Sequence, residues 1–139
     1  MRFMYIVTSS QPIRGPTPAL AEAMHKLADR EIKAGRMLDS GGLMPVAMGA
    51  QVKITDGKLN VVDGPFVETK ELIGGYAIFE LRDKEEAVAA AVEFMQLHKD
   101  HMPGWEGTCE VRMFASPEME EACQVGAEVN AKIAARVAS

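Results

Sequence analysis

Two histidines three residues apart, His98 and His101 in the run LHKDHMPGWEG, are by type the side chains best suited to carry a proton near neutral pH. On a helix this spacing sets both imidazoles on adjacent turns of one face, which also suits a metal when a third ligand arrives from elsewhere. Asp100, Glu106 and Glu110 are the oxygen donors close by in sequence. The plainer reading is that both rings sit near a helix C terminus, where the helix dipole favours positive charge. A second group is Asp63-Gly64-Pro65-Phe66-Val67-Glu68-Thr69-Lys70-Glu71. Gly64-Pro65 ends a strand, Asp63 can hydrogen-bond its own turn, and Phe66 is an apolar anchor. Glu68, Lys70 and Glu71 then place three charges within four residues. They are either contacts for a polar ligand or a solvated loop with ion pairs worth under about 1 kcal/mol.

Tyr76 and Arg112 form the third group. Either could point into a cavity between two sheets, where arginine grips a carboxylate or phosphate with two parallel hydrogen bonds. The alternative is that Arg112 pairs with Glu110 or Glu80 on a wet sheet face. Trp105, just after Pro103-Gly104, reads as a residue closing a core edge. The candidate ligand contacts are thus Asp63, Phe66, Glu68, Lys70, Tyr76 and Arg112, and the candidate proton carriers are His98 and His101. No metal and no cofactor is assigned. The sequence contains no G-x-G-x-x-G, P-loop, G-x-S-x-G or C-x-x-C pattern.

The chain that must position these residues has 139 residues, 47% of them hydrophobic and 25% charged. That is enough for one domain with an appended element, without a disulfide or metal staple. No apolar run approaches the roughly 20 residues of a membrane span, and MRFMYIVTSSQP lacks the apolar core of a secretory signal. Cys109 and Cys123 show no metal spacing, which fits a reducing cytoplasm. The net charge is −5 and the 15 lysines and arginines are scattered, so neither direct binding to nucleic acid nor a membrane is expected.

Arg2–Thr8 is a nearly continuous apolar run and reads as a central strand. Thr17-Pro18 starts a helix whose apolar residues are Leu20, Met24, Leu27, Ala28 and Ile32, and Gly35 stops it. Arg36–Ser40 reads as a short strand. QVKIT, Asp56-Gly57 and KLNVVD form a hairpin with a type I′ turn. Tyr76–Leu81 is another strand. Asp83 and Glu86 open a second helix with an apolar face of Ala87, Val88, Ala91, Phe94 and Met95, stopping before Pro103. Thr108–Phe114 alternates, with Cys109, Val111 and Met113 on one face and Glu110 and Arg112 on the other. The order β-α-β, hairpin, β-α-β predicts an α+β fold: a ferredoxin-like split βαβ sheet with an inserted β-hairpin and both helices on one face. Tyr5, Val7, Ala77, Phe79 and Phe114 are read as an apolar patch on the uncovered face, which a second copy of the chain would cover. After Ser116-Pro117, the spacing of Ala122, Val125, Val129, Ile133 and Val137 predicts an amphipathic C-terminal helix.

The run DGPFVETKE at 63–71, followed by Gly74-Gly75-Tyr76, resembles the DGPF signature of the YCII-related family, DGPF-x-E-[TS]-K-E and then G-G-[YF]. The resemblance extends over about residues 1–115. It implies a domain over 1–116 of the dimeric α/β-barrel type, with a separate C-terminal helix over 117–139. In that architecture two ferredoxin-like sheets face each other around a cavity, and the partner is a second copy. Relatives in the wider group resemble small-molecule lyases and dehalogenases that use a His–Asp pair. The DGPF branch is associated with transcription initiation through sigma factors. At the positions of that pair this chain has Met24 and Lys33, and His25 is one residue off, a turn of about 100° on a helix. The His–Asp mechanism therefore does not carry over. Two functions are expected: a small-molecule cavity with proton-transfer chemistry of isomerase or lyase type, or a non-catalytic accessory or regulatory protein with a protein partner such as a sigma factor.

Overall fold

The computed structural model describes residues 1–10, 15–63, 72–121 and 124–138. Four strands, β1 (Arg2–Ser9), β2 (Met37–Gly42), β5 (Leu72–Glu80) and β6 (Thr108–Met113), form one sheet in the order β2-β5-β1-β6. Every neighbouring pair is antiparallel. Helices α1 (Pro18–Lys33) and α2 (Lys84–His101) follow β1 and β5, which is the split βαβ order that the sequence predicts. Strands β3 (Ala50–Thr55) and β4 (Lys58–Asp63) form a separate two-stranded ribbon. Asp56 and Gly57 turn it with φ of 52° and 74°, the two positive values a type I′ turn requires.

Local chemistry sets the helix starts. The Thr17 hydroxyl accepts from the Leu20 N–H at 3.2 Å and donates to the His101 carbonyl at 2.7 Å, so one side chain caps α1 and ties it to the end of α2. At α2 the Asp83 carboxylate accepts from the Glu86 N–H, while Glu86 accepts from the Arg82 N–H, one residue before the cap.

The buried cluster is Phe3, Tyr5, Phe79, Leu81, Ala87 and Ala91, lying between the sheet and α2. The Tyr5 hydroxyl donates to the Ala87 carbonyl at 2.7 Å, and its ring meets Phe79 edge-on at 5.0 Å. This corrects the expected face assignment. Tyr5, Ala77 and Phe79 belong to the helix-covered core, and Val7 lines a space on the same side. The open face carries the alternate residues Met4, Ile6, Tyr76 and Ile78 with Glu110 and Arg112. Strand β1 is apolar at both parities, so its period of two does not say which set faces the helices. Phe114 follows β6, half-buried, with the Arg2 guanidinium 5.7 Å from its ring.

The C-terminal segment comprises two helices, α3 (Pro117–Glu121) and α4 (Gln124–Ala138), where the periodicity predicts one. The apolar stripe of α4, with Val129, Ile133 and Val137, is exposed. The ribbon is exposed on its apolar side as well: Val52, Ile54, Leu59 and Val61 are 67–76% accessible. Among the described residues no helix is long and apolar enough to cross a membrane.

Candidate functional site

Helix α1 buries only Leu20 and Glu31 completely, and its remaining apolar residues are half-buried or exposed. It therefore roofs a space above the sheet without filling it. The space is a cavity of about 550 Å³, within the range that holds small-molecule ligands. Its floor is the helix side of the sheet, including Val7, Met37, Ala77 and Phe79; α1 contributes Leu20, Met24 and Leu27, and α2 contributes Phe94 and His98.

His98 is the chemically distinctive member of this wall. It is 8% exposed. Its Nδ1 lies 3.0 Å from the Phe94 carbonyl. A carbonyl only accepts, so Nδ1 carries the proton and Nε2 of the neutral ring presents a lone pair. Nε2 makes no hydrogen bond to any described residue. The ring is held between Phe94, edge-on at 4.6 Å, and Trp105, tilted at 4.7 Å. Trp105 rests on Gly107, where a Cβ would collide with the indole and come within 2.7 Å of the Thr8 carbonyl. A smaller cavity of about 270 Å³ shares His98, Met102 and Trp105 with the larger one.

A charged knot also borders the cavity. Glu31 is 6% exposed yet takes hydrogen bonds from both Arg36 (Nε at 2.5 Å, Nη2 at 3.0 Å) and Arg30 (Nη2 at 2.8 Å, Nε at 3.1 Å). Arg30 continues to Glu93 on α2 at 2.7 Å. The arginine hydrogen bonds hold both carboxyls below their ordinary range, against the opposing effect of burial. Burial acts in the same sense on the Cys109 thiol, which it pushes up to about 11.

The residues expected from the sequence divide sharply. His98 lines the cavity; His101, the last residue of α2, does not, and it is half-buried with its carbonyl on Thr17. Among the described residues no group of three or more His, Cys, Asp or Glu could hold a metal ion. Tyr76 borders the cavity along β5, but its hydroxyl donates across the open face to Asp39 at 3.1 Å, which raises the phenol's pKa. The Tyr76 ring covers Gly41, and a Cβ at Gly75 would lie 2.9 Å from the Gly41 carbonyl, so close strand approach accounts for small residues here. Arg112 is on the open face and pairs with Glu110 at 3.2 Å. Asp63 ends β4 opposite Ala50. Phe66, Glu68 and Lys70 lie outside the described residues; Leu72, directly after that segment, lines the cavity.

Glu31, Glu93 and His25 are the wall residues that the sequence reading missed. For Glu31 a signal exists: it continues the series Leu20, Met24, Leu27 at helical spacing, so a carboxylate falls on the covered face and needs partners. His25 is one residue out of phase with Met24, yet both border the cavity, His25 with an exposed side chain.

A ferredoxin-like sheet under two helices, with a cleft between the layers, defines a small α+β domain with a partly open cavity. The family model for the YCII-related domain matches residues 1–95, and the chain belongs to that family. The match ends within α2, so β6 and the C-terminal helices lie beyond it. No curated protein matches the chain.

Proposed function

We propose that this protein binds a small, largely apolar molecule in the cavity between sheet and helices, and that His98 exchanges a proton with it. The observation that carries this reading is a nine-tenths-buried imidazole lining a 550 Å³ apolar cavity, with Nδ1 tied to a carbonyl and Nε2 without a hydrogen-bond partner among the described residues. A proton taken from one carbon of the ligand by Nε2 and returned to another is an isomerisation; its removal with departure of a leaving group is an elimination. Both need only the ligand and one base. The Phe94 carbonyl and the Trp105 face would stabilise the imidazolium formed in between. Glu68 and Lys70, in the stretch of sequence that precedes the wall residue Leu72, are kept in this reading as polar contacts for the ligand. Tyr76 and Arg112 act on the other side of the sheet. There, Met4, Ile6 and Ile78 framed by charges of both signs suit a two-fold homodimer.

The test is a thermal-shift screen of the purified protein against small apolar phenols, lactones and enols, repeated on Met24→Trp. The substituted indole would occupy the cavity from a half-buried position. A ligand at 100 times its Kd raises stability by about 2.7 kcal/mol, and Met24→Trp is expected to abolish that shift while melting cooperatively. A flat screen with a cooperatively folded protein would overturn this reading. It would leave the second one, an accessory protein acting through a protein partner such as a sigma factor, which the exposed Val129, Ile133 and Val137 stripe of α4 favours.

A further inference from the structure

Resting on the cavity reading above, we infer the class of molecule it takes: a neutral, elongated, mostly apolar compound with one acidic O–H at its end, a phenol or enol, donated to Nε2 of His98. Shape comes first. Leu20 and Glu31 both line the cavity and lie eleven helical steps apart on α1, a span of roughly 16 Å. The helices run in opposite directions: Thr17 bonds the end of α2 at His101, and Arg30 meets Glu93 further back. His98 and Trp105 therefore stand at one end of the cavity, and Glu31 with Met37 at the other.

Charge decides the head group. No lysine or arginine side chain lines the cavity among the described residues, whereas the carboxylates of Glu31 and Glu93 do. Both carboxylates are already neutralised by Arg30 and Arg36. An anionic ligand would lose its hydration and find no fixed cation, its one buried cationic partner being a His98 that has itself taken up a proton, and a cationic ligand would find the acids taken. Thr8, Ser9, His25, Ser40 and Trp105 add polar groups at the less buried parts of the wall. Of the buried side chains, the Tyr5 hydroxyl is committed to Ala87 and Glu31 to its arginines, which leaves Nε2 of His98; it accepts and, in the neutral ring, has nothing to donate. A buried acceptor prefers a ligand O–H over a ligand carbonyl or ether, and Phe79, Phe94 and Trp105 supply faces and edges for a flat ring.

Three probes of one shape test this by calorimetry on the intact protein: 4-butylphenol, butylbenzene and 4-butylbenzoate. The expected order is 4-butylphenol about five- to tenfold tighter than butylbenzene, the size of one net hydrogen bond, with no binding of 4-butylbenzoate. His98→Phe keeps an aromatic ring between Phe94 and Trp105, and is expected to bring 4-butylphenol down to the level of butylbenzene without changing the latter. Equal binding of phenol and butylbenzene to the wild type would overturn the assigned class while the cavity reading stands. Tightest binding of the benzoate would overturn it in favour of an anion. Failure of all three to bind removes the cavity reading and the class with it. The wild-type comparison decides the question even where the variant does not fold.

Discussion

Glu31 shows how a single side chain serves both the fold and the cavity. Its carboxylate is buried where the apolar series of α1 points inward, and it is tolerated there because two guanidiniums reach it, one from its own helix and one from the turn before β2. Glu31→Gln keeps the shape and removes the charge, leaving Arg30 and Arg36 without their shared anion. The expected loss is about 2 kcal/mol, moderated because both arginines are partly solvent-exposed. Its pH dependence has a definite sign. Glu31 and Glu93 titrate below their unfolded values, so they contribute stability above the ordinary carboxylate range near pH 4.3, and lose it as pH falls through the lowered folded values. Melting temperatures measured from pH 7 to pH 3 are expected to fall steeply at the acid end in the wild type and more gently in Glu31→Gln. At this scale the sequence was informative about type and weak about neighbourhood. His98 was legible as a proton carrier from its H-x-x-H run. That it and not His101 would be buried depends on Phe94 and Trp105, which no local pattern declares.

At the scale of elements, caps and turns were the most legible features, because they are written in adjacent residues: Thr17-Pro18, Asp83 with Glu86, and Asp56-Gly57 all act as their chemistry dictates. Strand faces were legible only where polarity alternates. Glu110 and Arg112 revealed the open side of β6, whereas β1 offers Phe3, Tyr5 and Val7 on one side and Met4 and Ile6 on the other, both apolar. A cavity was expected between two facing sheets; one between sheet and helices was not legible, since the spacing of Leu20, Met24 and Leu27 says which side of α1 turns inward but not how far it stands from the sheet. The loop from α2 to β6 carries a sharper dependence. Gly107→Ala would set a methyl group against the Trp105 ring and the Thr8 carbonyl, forcing the indole off His98. Overpacking of this kind costs about 1–3 kcal/mol, and a urea titration is expected to show a lower midpoint at unchanged slope.

The described residues carry three apolar surfaces with no further layer of described residues on them: the half-buried open face of the sheet, and the exposed side of the β3–β4 ribbon and stripe of α4. A two-stranded ribbon is marginal on its own, and three such surfaces on one small domain argue for assembly. The proposed homodimer makes a specific demand. Ile6→Glu places a charge at the centre of the open face without touching the Phe3, Tyr5 and Phe79 cluster beneath. Sedimentation is expected to show a dimer for the wild type and a monomer for Ile6→Glu, with helix content preserved in far-ultraviolet circular dichroism. A wild-type monomer would remove the dimer from the proposal and leave the cavity, which lies on the opposite side of the sheet, unaffected. Membership in the YCII-related family was likewise legible at this scale, through a nine-residue run too long and unusual to arise from turn chemistry alone.

The contact between Trp105 and His98 has an optical consequence. The chain contains one tryptophan, and its indole forms part of the cavity wall, 4.7 Å from the one buried imidazole. All of the protein's indole emission therefore originates at the proposed site. A guest that dries one face of the ring would shift that emission to shorter wavelength, and occupancy becomes visible in a cuvette with no label attached.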